Sequence, residues 1–138
     1  MSLFKVFDIA GSALSAQTIR LNTTASNMAN ADTVGSSEET AYRARHPVFA
    51  TVLKAAGGGS PEVAGVRVAG IVEDAAPIEK RYQPGHPLAD ENGYVYTSNV
   101  NVVEEMVNMI SASRNYQNNV ELMNTSKQLL LATLRLGQ

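Results

Sequence analysis

The groups able to do chemistry in these 138 residues are few: His46, His86 and three acidic pairs, Glu73-Asp74, Asp90-Glu91 and Glu104-Glu105. Imidazole beside carboxylate is the usual material of general acid–base catalysis, or of a metal site once several ligands converge. The spacing supports neither. Each histidine directly precedes a proline, which biases it toward extended backbone and reads as a turn or strand-end residue. The acidic pairs are adjacent in sequence, and adjacent side chains diverge on helix and strand alike. Cysteine is absent, which removes thiolate nucleophiles, disulfides and every cysteine-containing zinc site. Gly65 and Gly70 have the outer spacing of a phosphate-binding loop, but Ile71-Val72 follows where Lys and Ser/Thr would hold phosphate and magnesium. Gly57-Gly58-Gly59 has no helix start after it and reads as a flexible linker. No catalytic residue, cofactor, metal or small-molecule substrate is expected, and the chain does not read as an enzyme.

Charge narrows the class further. Eleven basic residues face 13 acidic ones, so the electrostatic footprint of a nucleic-acid binder is missing. No run of 18 apolar residues offers a membrane span. The N-terminus reaches Asp8 before an apolar signal core could be completed, so no cleavable secretion signal is expected.

The elements that must position these residues follow from the helix breakers. All five prolines and eight of ten glycines lie between Gly35 and Gly93, which leaves both ends free to be long helices. Stepping alternately by four and three from Leu3 meets Phe7, Ala10, Leu14, Gln17, Leu21, Thr24, Met28 and Ala31, a heptad seam. The same stepping from Val102 meets Met106, Met109, Ser113, Tyr116, Val120, Met123, Lys127, Leu130 and Leu134. Strands are expected within Tyr42 to Lys54, at Gly65 to Val72, at Ile78 to Tyr82 and at Tyr94 to Tyr96. The expected fold is α+β, mainly α: a helix within residues 1–34, a β-rich segment over 35–97 as one small sheet, and a helix within 98–138, the two helices packed as a coiled coil.

The remaining helix surface is unusual. Ten of the eleven asparagines lie in the two terminal segments, and the first 31 residues hold only Lys5, Asp8 and Arg20 as charges. Asparagine is a poor helix former. Neutral amides and hydroxyls suit surfaces buried against other chains, because they hydrogen-bond without the desolvation penalty of a charge. A helix with one apolar seam gains little alone in water.

Ser12-Ala13-Leu14-Ser15-Ala16-Gln17, Arg20-Leu21 and Ala25-Ser26-Asn27-Met28-Ala29-Asn30-Ala31-Asp32-Thr33 resemble the N-terminal signature of the bacterial flagellar rod and hook family. Ser98-Asn99-Val100, Val103-Glu104-Glu105-Met106-Val107, Arg114-Asn115-Tyr116-Gln117 and Leu129-Leu130-Leu131 resemble its closing helix. Tyr82-Gln83-Pro84-Gly85-His86-Pro87-Leu88-Ala89-Asp90 is similar to a proximal-rod member, as are the six residues that separate Gly35 from Tyr42. The resemblance implies a structural subunit of the periplasm-crossing rod that transmits torque from motor to hook. Its implied partners are copies of itself, other rod proteins, the flagellar type III export apparatus and the surrounding ring proteins. On this reading Phe7, Leu14, Leu21, Asn27, Met28 and Asn30 of the first helix form the assembly interface. Met106, Met109, Tyr116, Val120, Met123, Leu130 and Leu134 of the second complete it. Asn27 and Asn30 stand where an amide can cap the helix or bond neighbouring backbone. The alternatives are a free coiled-coil adaptor or flagellar export chaperone, and a small hydrolase built on the two histidines.

Overall fold

The computed structural model describes residues 3–54 and 62–137, so the triglycine reading at 57–59 lies outside the described residues. In chain order the elements are α1 (Leu3–Ala29), β1 (Val34–Gly35), β2 (Arg45–Lys54), β3 (Glu62–Glu73), β4 (Lys80–Tyr82), β5 (Tyr94–Thr97) and α2 (Val102–Leu136). The class is α+β, mainly α, as the breaker distribution implies. At 27 and 35 residues, the helices are about 40 and 52 Å long.

The short strands set the direction of the helices. β1 follows α1, β5 precedes α2, and the two pair antiparallel with Val34 opposite Thr97. The Ser98 N–H donates to the Thr33 carbonyl at 3.3 Å, extending that pairing toward α2. The end of α1 is therefore tied to the start of α2, and the helices run side by side in opposite directions. Arg20 on α1 donates to Asn108 Oδ1 on α2 at 3.0 Å.

The strands form two sheets rather than the one expected. β1, β5 and β4 make a three-stranded sheet at the helix junction, while β2 and β3 pair only with each other. The β2–β3 ribbon runs from Arg45 opposite Glu73 to Lys54 opposite Glu62, with two register shifts. Such a ribbon is marginal alone in water; here it packs along α1. The contact is close at Gly65, where φ is +154° and an added Cβ would stand 2.5 Å from Ser12 Oγ. Residues 36–41 form a turn in which the Ala41 N–H donates to the Ser37 carbonyl and the Ser37 and Thr40 hydroxyls bond each other. Gly35 packs so closely on this turn that a Cβ would lie 2.7 Å from the Ala41 nitrogen.

The core is small-residue and thin. Ala10, Ala16, Ala41, Ala44, Ala112, Ile78 and Val95 are its buried apolar members. Alanines at the contact let the helices approach closely. They also bury little apolar surface per residue.

Candidate assembly interface

α1 carries two working faces. Ser12, Ala16, Ile19 and Thr23 recur at helical spacing on the side that meets the ribbon, and Ser12 Oγ accepts the Val66 N–H at 3.1 Å. Phe7, Leu14, Leu21 and Met28, seven residues apart, lie roughly opposite that stripe on the helical wheel and are half-buried. The low charge of the first 31 residues thus has an in-chain cause: α1 is packed by α2 on one side and by the ribbon on another.

The asparagines are also largely engaged within the chain. Asn27 is completely buried. Its amide donates to the Arg45 carbonyl at 2.8 Å, and its Oδ1 accepts the Arg45 N–H at 2.9 Å and the Tyr42 hydroxyl at 3.0 Å. It fastens β2 to α1 and leaves no side-chain surface for a neighbouring subunit. Asn30 donates to the Ser26 carbonyl one turn back. Asn99 accepts the Ala44 N–H at 2.7 Å and donates to the Asp74 and Ala76 carbonyls, locking the segment before α2 onto both ends of the ribbon's base. Asn101 caps α2 by accepting the Val103 and Glu104 N–H groups, a role worth about 1 kcal/mol. Asn22, Asn115, Asn118 and Asn124 remain exposed. Asn99 and Asn101 were missed by periodicity because both sit before the helix; the signal was an Asn ahead of an apolar run with Glu104 three residues on.

On α2 the in-chain face differs from the sequence seam. Glu105, Ala112 and Ser126 are buried and Asn119 is half-buried, in strict seven-residue spacing, with Met109, Met123 and Leu130 half-buried beside them. The sequence seam runs instead through Met106, Ser113, Val120 and Lys127, one residue over. Met106, Tyr116, Val120 and Leu134 are consequently exposed. Position on the face toward α1, rather than apolarity, decides which residues are covered. Glu105 is buried in the first turn, where the helix dipole favours a carboxylate, and its Oε2 has no hydrogen-bond partner among the described residues.

The opposite face of α2 is apolar and open. Val103, Val107 and Ile110 are 71%, 63% and 56% exposed. Further along, Leu129, Leu131, Leu134 and Leu136 are also exposed. The chain presents 9300 Å² of accessible surface for 14.7 kDa, against about 6,900 Å² for a compact monomer of that mass. Exposed apolar patches of this kind mark an interaction site.

Of the chemically capable residues, one imidazole and one carboxylate come together. His46 Nε2 lies 3.6 Å from Asp74 Oδ2 at the base of the ribbon. His86 Nδ1 accepts the Leu88 N–H at 3.1 Å inside the β4–β5 connection, a turn role. In the same connection Asp90 Oδ1 accepts the Tyr94 and Asn92 N–H groups. The Tyr94 hydrogen bond above all holds that carboxyl below its ordinary pKa, against a partial opposing effect of desolvation. No three His, Asp or Glu side chains among the described residues converge as metal ligands.

Comparison with known proteins agrees with this geometry at both ends. The family described as "Flagella basal body rod protein" matches residues 7–35, and "Flagellar basal body rod FlgEFG protein C-terminal" matches residues 91–136. The flagellar basal-body rod protein FlgC of Yersinia enterocolitica is 57% identical over 138 residues, covering 100% of both chains. Its counterpart in Salmonella typhimurium is 54% identical with the same coverage. That of Buchnera aphidicola from Acyrthosiphon pisum is 39% identical over 140 residues, again covering both chains in full.

Proposed function

Because this chain belongs to the FlgC family of flagellar basal-body rod proteins and is a structural, non-enzymatic subunit of that rod, we propose that it is a repeat of the proximal, periplasm-crossing drive shaft. It associates with other rod proteins in the flagellar basal body. The observation that carries the finer reading is the surface excess of about 2,400 Å² over a compact monomer. That is more than a standard stable interface buries, and the exposed apolar residues include Val103, Val107 and Ile110 on α2. A shaft bearing torque needs heterologous, repeating contacts that do not close into a dimer. In this reading Phe7, Leu14, Leu21 and Met28 on α1, with the exposed apolar residues of α2, supply the contacts to neighbouring copies. The β elements lie on the outside of the helical layer, within reach of ring proteins. Delivery is through the flagellar type III export apparatus without cleavage of a signal; the support for that is the family resemblance of the N-terminal helix. The adaptor and hydrolase alternatives have no observation to carry them.

The test replaces Ile110→Asp in cells that depend on this chain for swimming. Ile110 is exposed, so the variant is expected to fold with unchanged helicity and unfolding temperature. Its carboxylate is buried only on assembly, where an unpaired charge costs several kcal/mol, so rods should stop short and swimming be lost. A His46→Ala, His86→Ala double variant should swim. Normal rods from Ile110→Asp would refute the reading.

A further inference from the structure

The two open apolar patches of α2 lie at opposite ends of the helix and match in spacing. At the start they are Val103, Val107 and Ile110; near the end, Lys127, Leu131 and Leu134 repeat the same four-then-three interval 24 residues later. Among the described residues, α1 does not extend alongside the distal patch. Arg20 meets Asn108, and from there α1 continues 17 residues to Leu3 whereas α2 continues 28 to Leu136. The tail of α2 therefore runs about 16 Å beyond the start of α1. Charge differs in sign between the two ends. Within 102–110 Glu104 is exposed, Glu105 being buried against α1, and there is no basic group; 124–137 hold Lys127 and Arg135 and no acidic group.

We propose that the overhanging tail of α2 in one copy packs, parallel and head to tail, on the Val103–Ile110 face of α2 in a second copy. Leu131 then meets Val107, Leu134 meets Ile110, and the aliphatic stem of Lys127 covers Val103 while its ammonium faces Glu104. Parallel helices in this register pack as a short coiled coil with i and i+3 or i+4 apolar contacts. The contact joins two different patches, so it is heterologous and leaves both ends of every string free to add another copy. It rests on the rod reading and specifies which surfaces of the subunit make one of its repeating contacts.

The absence of cysteine from the chain makes the test direct. Val107→Cys and Leu131→Cys are produced as two separately tagged single variants alongside the unmodified chain, which keeps rods assembling. Both positions are exposed, so neither substitution threatens the fold. Each variant chain carries one cysteine, so a disulfide can form only between copies. After mild oxidation of isolated rods, the expected product is a disulfide-linked pair carrying both tags, with each variant produced without the other remaining monomeric. Rods that contain both variants without that pair, or that give pairs of one tag only, would overturn the inference and leave the rod reading standing. Rods lacking the chain altogether would overturn the rod reading itself.

Discussion

Asn27 shows how the partner of a single polar residue decides its role. From sequence it is expected in the assembly interface, or as an amide that caps the helix or bonds neighbouring backbone. In the structure its amide is the complement of one peptide unit, donating to the carbonyl and accepting the N–H of Arg45 while the Tyr42 hydroxyl takes the remaining lone pair. Only Asn offers donor and acceptor at that reach. Asn27→Ala leaves the part-buried Arg45 carbonyl and N–H without their side-chain partner, each worth about 1–3 kcal/mol. The expected loss is about 2–4 kcal/mol in denaturant unfolding of the isolated chain. Asn22→Ala, on the exposed side of the same helix, should change stability by less than about 0.5 kcal/mol. Equal effects would show that the clasp contributes nothing.

At the scale of elements, both long helices, the two halves of the ribbon and the β4–β5 pair were legible, because breakers and periodicity are local signals. Three things were not. The two-residue β1 is too short for any pattern. The α2 seam was read one residue over at alternate positions because Met106 and Val120 are apolar, whereas the face toward α1 carries Ala112 and Ser126. The second face of α1 was invisible because its Ser12, Ala16 and Thr23 are small or hydroxylic and gain meaning only when the ribbon lies against them. That ribbon also revises the expectation that a terminal helix gains little by itself, since α1 has two in-chain partners. Gly65→Ala tests the joint: its methyl group would displace the Ser12 hydroxyl, which donates to Ile9 and accepts from Val66. A loss of about 1–3 kcal/mol is expected, with faster hydrogen exchange in β2 and β3 and little change in α2. Gly70→Ala, whose Cβ would meet nothing within 4 Å, should leave exchange unaltered. Identical exchange in the two variants would mean that the ribbon does not depend on that contact.

The whole molecule is a helical hairpin with one ribbon folded onto it, thin in core and rich in open apolar surface. Such a chain gains in assembly what a compact domain gains in its interior, because apolar area removed from water is equally stabilising on either side of a subunit boundary. Its function is then geometry, and the residues that matter most to it are those the isolated chain leaves uncovered. The measurement that tests this most directly is a density map of assembled basal bodies containing the chain. The expected result is α1 and α2 lying side by side with neighbouring helices in the wall of the rod, Val103, Val107 and Ile110 covered by adjacent subunits, and on the order of 2,000 Å² or more removed from solvent per chain. A map in which the α2 face opposite α1 stands open to solvent, with the chain attached to the rod only through its β elements, would contradict the account.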